Sequence, residues 1–207
     1  MLLLLLFVSC GGSSGGSSGK QGPSDLPQSP TDLPKAQADL TLSGAIEAHL
    51  TEVRAQDCGP YRSGGQQVFH ASQLFQWRGT WYALSATSDY PVRDGKVVPP
   101  AGYSGPGSYT ATLYMRELVV GSGGLVTGKR IWWNGYRHGP VVTVSSDQRG
   151  VAIRGADPDP ADPNGYLLVF TPSAELWPTP PGLTAPFPSP VPSPDQLVLM
   201  SGSWRCL

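Results

Sequence analysis

The positions of the three cysteines constrain the fold of this chain more than any other feature of its sequence. Cys10 ends a short apolar run, MLLLLLFVSC, and a tract of glycine and serine follows it directly. Cys58 lies near the start of the part that can fold, and Cys206 is the next-to-last residue. A bond between Cys58 and Cys206 would close a loop of about 150 residues and hold the end of a domain to its beginning.

Length and composition favour one β-rich domain. The chain has 207 residues, of which 26 are glycine and 22 are proline, and only 14% are charged. After a leader and a tether, roughly 165 residues remain, which is enough for a substantial core. Such a composition is typical of a turn-rich β domain with disordered attachments. The net charge of −1 gives no electrostatic reason to expect nucleic acid as a partner.

The first ten residues resemble the leader of a bacterial lipoprotein. Leu2 to Val8 form an apolar run that is too short to cross a bilayer as a helix and just long enough for a signal peptide. Phe7 to Cys10 resembles a lipobox, in which the cysteine is acylated and becomes N-terminal. We therefore expect residues 1–9 to be a signal peptide and lipid on Cys10 to anchor the chain to the membrane. No lysine or arginine precedes the run, so either translation starts upstream or this is a poor secretion signal with an incidental cysteine.

Residues 10–39 are predicted to be a lipidated, disordered tether. They are rich in glycine, serine and proline and have no apolar periodicity, so they cannot bury a core. The glycine-rich part is flexible, while the proline-rich part favours the polyproline II conformation. A coil of this length reaches roughly 30 Å, which would hold a domain clear of the lipid headgroups.

Short segments rich in β-branched and aromatic residues predict strands from residue 40 onward. The predicted strands are 40–53 with a bend at Gly44, 67–77, 80–88, 108–120, 130–133, 141–145, 151–154, 166–171 and 196–204. In 108–120, Tyr109, Ala111, Leu113 and Met115 alternate with the other side chains, a period of two that predicts burial of one face. A helix over 45–54 is the alternative to the second half of the first strand. Arg78-Gly79 and Asp147–Gly150 are predicted to be the turns of two hairpins.

About eight or nine such strands predict an all-β domain over residues 40–207. We expect an antiparallel β-sandwich or a small open barrel, because the strands recur at regular spacing without intervening helices. The segment 172–195 is rich in proline, which interrupts strand ladders, and is predicted to be a long surface loop.

A disulfide between Cys58 and Cys206 is expected from the predicted location outside the cytoplasm. Exported domains lie in an oxidising compartment, and acylation of Cys10 leaves only one possible pair. The chain-entropy relation gives such a bridge about 5 kcal/mol of stabilisation. The alternative is two free, buried thiols.

Several segments together resemble a broad group of uncharacterised bacterial secreted lipoproteins. They are YSGPGSYT (103–110), VVTVSSDQRGVAI (141–153), LVLMSGSWRCL (197–207) and LTLSGAIEAHLTEV before Cys58. The resemblance covers residues 40–207 and implies a lipid-anchored β-sandwich with a cysteine on its last strand. It implies no activity, and the proline-rich insert departs from the compact pattern.

Motifs for catalysis, metals and cofactors are weak. His49, His70 and His138 are the only histidines, and no H-E-x-x-H, C-x-x-C or phosphate-binding loop is present. The pattern G-x-S-x-G occurs only within the glycine- and serine-rich tract after Cys10, so no nucleophile elbow is predicted. The run from Asp157 to Gly165 offers oxygen ligands that calcium favours, but its spacing and its prolines indicate a solvated turn instead. We expect no cofactor and no metal site, and a hydrolase is the least favoured hypothesis.

The aromatic residues Trp132, Trp133 and Tyr136 are the candidate binding residues. Neighbours on a strand point to opposite faces, so at most one of the two tryptophans faces the core. An exposed tryptophan can contact a glycan, a peptide or a small apolar ligand over a large area. The alternative is that one packs inside the domain and the other packs under the proline-rich loop.

The sequence therefore predicts an exported lipoprotein whose domain is a non-enzymatic accessory or structural module of the cell envelope. A surface module that binds a glycan, a peptide or a small apolar ligand is the alternative.

Overall fold

The computed structural model describes residues 30–121, 124–134, 139–179 and 192–207. Within them the chain forms one 3₁₀ turn, Pro30–Asp32, and twelve strands. The strands are β1 (Lys35–Gly44), β2 (Ala48–Ser63), β3 (Gln66–Trp77), β4 (Thr80–Arg93), β5 (Lys96–Val97), β6 (Gly107–Gly121), β7 (Gly124–Asn134), β8 (Gly139–Val144), β9 (Gly150–Pro158), β10 (Leu168–Thr171), β11 (Ala174–Thr179) and β12 (Val198–Arg205).

Eight of these strands close into one antiparallel barrel. Each of β1, β2, β3, β4, β6, β8, β9 and β12 pairs with the next, and β12 pairs again with β1. The all-β prediction is confirmed. The prediction of a sandwich is wrong, because the inner faces of the eight strands surround a single core and do not belong to two stacked sheets. The alternating pattern is the same for both architectures, and only the closing pairings between distant strands distinguish them.

The barrel wall forks between β6 and β12. At one end, Gly107–Thr110 of β6 pairs with β8, and Gly202–Arg205 of β12 pairs with β9. At the other end, the second half of β6 pairs with β7, Ala174–Leu176 of β11 pairs with β12, and β7 pairs with β11. Two different strand pairs therefore complete the wall at its two ends.

The core fills the inside of the barrel. Alternate residues of β1 are buried, beginning with Ala36 and ending with Leu42. On β6 the predicted inward residues Tyr109, Ala111, Leu113 and Met115 are all buried, which confirms that alternation. Large side chains from the other strands complete the core, among them Trp204, Tyr82, Phe69 and Met200. This burial of apolar surface is the main source of stability.

The β1–β2 connection closes one end of the barrel, which we call the Ile46 end. Ile46 is fully buried, and the N–H of Ala45 donates to the carbonyl of Leu197 at 2.7 Å. Gly44 has a positive φ of 89°, and a Cβ on it would overlap the Leu197 carbonyl oxygen. Only glycine fits this turn without strain.

The first predicted strand is corrected at its start and at its predicted bend. The segment 40–53 is two antiparallel strands, β1 and β2, with a turn at Ala45–Glu47 between them; 48–53 is strand and not helix. β1 begins at Lys35, so the last five residues of the predicted tether belong to the barrel. Their small apolar residues, Ala36 and Ala38, are buried there.

The proline-rich insert also contains a strand that the sequence did not predict. β11 lies within 172–195 and includes Pro178, which stands opposite Trp132 of β7. β12 pairs with β11 only as far as Leu176, so one side of the strand carries no ladder at Pro178. Proline is tolerated at such an edge position.

Both predicted hairpin turns are confirmed. Arg78 and Gly79 join β3 to β4, with φ of 48° and 80°. β8 and β9 pair antiparallel around the predicted turn at Asp147–Gly150, where Gln148 has a φ of 56°.

Candidate functional site

The Cys58–Cys206 disulfide is present and marks the opposite end of the barrel, which we call the disulfide end. The two Cα atoms lie 5.9 Å apart, within the usual range for a bridge. Cys58 stands on β2 opposite Ala71 of β3, and Cys206 follows β12 directly. The N–H of Cys206 donates to the carbonyl of Arg149 at 2.7 Å, so the bridge and the β8–β9 turn hold the C-terminus together.

Tyr103 covers the disulfide end from the β5–β6 connection. Its ring packs 5.3 Å from Phe69 and 5.4 Å from Tyr109, measured between centroids. Its hydroxyl donates to the side chain of Gln148 at 3.0 Å. The pKa of the Tyr103 hydroxyl is raised, mainly by burial. The connection is therefore packed onto the barrel.

Trp132 belongs to the core. It is 4% exposed, and its indole N–H donates to the carbonyl of Gln196 at 3.1 Å. This corrects the expectation that Trp132 forms part of an exposed binding surface. The register of β7 against β6, where Trp132 stands opposite Met115, turns it inward.

Trp133 lies on the outer face and is partly exposed. It stands directly opposite Tyr114 of β6 and Trp177 of β11. These three residues form what we call the outer aromatic row, because the residue before each of them on its strand belongs to the core: Leu113, Trp132 and Leu176. Trp177 is only 8% exposed, and its indole N–H donates to Glu175 at 3.1 Å. Tyr136, the third predicted binding residue, lies outside the described residues, as does Cys10.

A polar cluster at the Ile46 end was not predicted from the sequence. The guanidinium of Arg130 donates to Glu117 at 2.6 Å and to the hydroxyl of the buried Tyr82 at 2.9 Å. Burial raises the pKa of Tyr82, and the hydrogen bond to Glu117 raises the pKa of Arg130. The guanidinium also lies 5.8 Å from the ring of Trp132. The members of this polar cluster come from three different strands, so no spacing in the sequence indicates that they meet.

His49 and His70 lie apart on the outer surface of the barrel. His70 bonds Thr87 at 3.1 Å through Nδ1, and burial lowers its pKa. His49 lies 3.4 Å from the hydroxyl of Thr41 and 3.7 Å from the carboxylate of Asp39, and its side chain is 58% exposed. His138 lies outside the described residues.

The acidic loop after β9 uses its carboxylates to hold its own backbone. Asp159 accepts the N–H of Ala161 at 2.8 Å, and Asp162 accepts those of Asn164 and Leu167. These backbone donors lower the pKa of Asp162. Within the described parts of the chain, no three histidine, cysteine or acidic side chains gather as a metal site would need.

Trp204 is 1% exposed and belongs to the same core cluster as Cys206. Its indole nitrogen and both amide atoms of the fully buried Gln73 have no hydrogen-bond partner among the described residues. Gln73 stands between Ala55 of β2 and Leu84 of β4. The barrel interior thus holds buried polar atoms that carry a desolvation cost.

The parts of the chain that the structure describes contain no helical segment with the length and hydrophobicity of a membrane span. No family model, curated protein or solved structure matches this chain.

Proposed function

We propose that this chain is an exported bacterial lipoprotein, held to the membrane through lipid on Cys10, whose barrel serves the cell envelope as a non-catalytic accessory module. The disulfide carries the proposal, because such bonds form and persist in oxidising compartments. The disulfide supports export independently of the leader. The lipid anchor is supported separately, by the likeness of Phe7 to Cys10 to a lipobox. The filled core supports a module that acts through its outer surface.

Replacement of the acylated cysteine tests the anchor. Cys10→Ala should abolish labelling by a radioactive or clickable fatty acid and move the protein from the membrane to the soluble fraction. Cys206→Ala is the matched control, because it removes a different cysteine and should keep the label. Cys10→Ala protein that still sediments with membranes after an alkaline wash would refute the lipid anchor.

Thiol counting tests export separately. Protein taken from cells without reduction, denatured and treated with a maleimide should show no modification at Cys58 or Cys206. Two reactive thiols in freshly isolated protein would contradict an oxidising location.

A second candidate function is ligand binding by the outer aromatic row. Its three members stand side by side on neighbouring strands, a spacing that brings aromatic side chains into contact. Tyrosine and tryptophan supply large contact areas for glycans and peptides at low entropic cost. Trp133 and Tyr114 are the members that a ligand could contact, because Trp177 is only 8% exposed. Trp132 is buried in the core and takes no part in this proposal.

The test compares three variants against a soluble chito-oligosaccharide by calorimetry. Trp133→Ala should abolish binding while leaving the barrel folded. Tyr166→Ala, which removes an aromatic residue that is 49% exposed elsewhere, should have no effect. Trp132→Ala should lower the unfolding free energy by about 3–5 kcal/mol, because it empties a core position. Equal binding by wild type and Trp133→Ala would eliminate the row as a glycan site.

A further inference from the structure

A pocket of about 500 Å³ lies beside the disulfide end, between the β2–β3 turn and the β5–β6 connection. This volume falls within the range of small-ligand sites. Two parts of the chain that are far apart in sequence form its walls, with Gln66 and Gln67 on one side and Pro99 and Pro100 on the other. Arg93, near the end of β4, also lines it, and we call it the Arg93 pocket.

Backbone hydrogen bonds fix the walls of the Arg93 pocket. The N–H of Tyr103 donates to the carbonyl of Gln67 at 2.6 Å. The N–H of Gly102 donates to the backbone carbonyl of Asp89 at 2.9 Å, and the N–H of Val98 donates to the backbone carbonyl of Pro91 at 2.8 Å. The β5–β6 connection is therefore tied to β3 and to β4, so the pocket exists before any ligand arrives, which lowers the entropic cost of binding.

Arg93 is the only charged side chain among the residues that line this pocket. In the described part of the chain, none of the ion pairs includes it. Lys96, which stands opposite Arg93 on β5, interacts electrostatically with Asp162. Asp94 belongs to the adjacent turn and does not line the pocket. The pocket thus carries a positive charge with no acidic group of its own.

The other residues that line the Arg93 pocket offer hydrogen-bond donors and apolar surface. The side-chain amides of Gln66 and Gln67 can donate hydrogen bonds, while the prolines offer rigid apolar surface. A guanidinium presents parallel donors that match the two oxygens of a carboxylate or phosphate. We propose that the Arg93 pocket binds a small organic anion, with its carboxylate or phosphate on Arg93 and its apolar part against the prolines.

The proposal concerns a different surface from the outer aromatic row and does not depend on the lipid anchor. It is tested on the oxidised full mature chain by ¹H–¹⁵N NMR at constant ionic strength. Acetate and inorganic phosphate are added in separate titrations against a sodium chloride baseline. Saturable shifts at the amides of Gln67 and Gly102 and at the Arg93 side-chain Nε–H are expected with at least one anion. Saturation by acetate alone assigns a carboxylate, and saturation by phosphate alone assigns a phosphate.

Three variants separate the pocket from general attraction of anions. Arg93→Gln should weaken binding about 10- to 100-fold, because a charge-assisted hydrogen-bond pair is lost. Arg93→Lys keeps the positive charge without the planar guanidinium and should give intermediate affinity. If Arg93→Gln fails to fold, the comparison of Arg93→Lys with wild type tests the role of the guanidinium. Arg149→Gln, in a turn at the same end, should bind like wild type.

Shifts that rise linearly without saturation for both anions would overturn the proposal. So would equal weakening by Arg149→Gln, or unchanged binding by Arg93→Gln. None of these outcomes bears on lipidation or on the outer aromatic row, so a failure here is distinguishable from a failure of the proposed function.

Discussion

Removal of the Cys58–Cys206 bridge should lower the free energy of unfolding by up to about 5 kcal/mol. The bridge joins residues separated by 148 positions, and the chain-entropy relation gives about that value for so long a loop. In the folded state, β12 keeps its ladders with β1, β9 and β11, so the barrel has other means of holding its last strand. The loss should therefore arise mainly because the unfolded chain gains freedom.

The assay is urea unfolding followed by tryptophan fluorescence. The reference is Cys10→Ser, which removes the third thiol, and the test variant adds Cys58→Ala and Cys206→Ala. With a urea slope of about 2 kcal/mol per molar, the midpoint should fall by up to about 2.5 M. Reductant should bring the reference to the same midpoint and should leave the double-alanine variant unchanged.

A midpoint that moves by less than about 0.5 M would refute the reasoning, because it would mean that the bridge hardly restricts the unfolded chain. Hydrogen exchange supplies a local check. The amide of Cys206, bonded to the Arg149 carbonyl, should lose protection in the bridge-free variant, while the amides of β3 and β4 should keep theirs.

Three further substitutions test other parts of the barrel. Gln73→Leu should raise the unfolding free energy by about 1–3 kcal/mol, because it removes two buried amide atoms without described partners; a loss in urea unfolding would mean that the amide is satisfied. Gly155→Ala should lower the thermal midpoint by several degrees and the stability by about 1–3 kcal/mol, because its Cβ would overlap the Ser173 carbonyl oxygen; an unchanged midpoint would contradict this close approach. Hydrogen bonds from the Ser145 hydroxyl, the Arg149 N–H and the Arg205 guanidinium hold the pKa of Asp147 far below its usual value. Ionised Asp147 therefore stabilises the fold above about pH 4, and this contribution is lost as the pH falls further. Asp147→Asn should therefore be less stable than wild type at pH 7, with a difference that shrinks at pH 3, and a difference independent of pH would refute this assignment.

Predictions based on local chemistry matched the structure well. The turn at Arg78-Gly79 and the alternation from Tyr109 to Met115 depend only on neighbouring residues, and both are found as expected. The orientation of the tryptophan pair was half predictable. Alternation places Trp132 and Trp133 on opposite faces, but only the register of β7 against β6 decides that Trp132 points inward.

Features that depend on distant pairings were missed. The cluster of Tyr82, Glu117 and Arg130 joins residues up to 48 positions apart, and the Arg93 pocket joins two separate connections. No pattern within one segment can report that such side chains meet. β11 was missed because its proline argues against a strand, and the free edge that accommodates Pro178 exists only in the assembled barrel.

Most of the strand-forming segments and the two hairpin turns could be predicted from the sequence, because period-two alternation and turn residues are properties of neighbouring residues. The pairing of Cys58 with Cys206 could be predicted only on the expectation that Cys10 is acylated, since three cysteines allow three pairings. The closure of the strands into one barrel with a forked wall could not be predicted from the sequence. Closure depends on ladders such as β1 with β12 and β9 with β12, whose partners are far apart in the chain. The free energy of such ladders comes from packing that exists only once the whole barrel has formed.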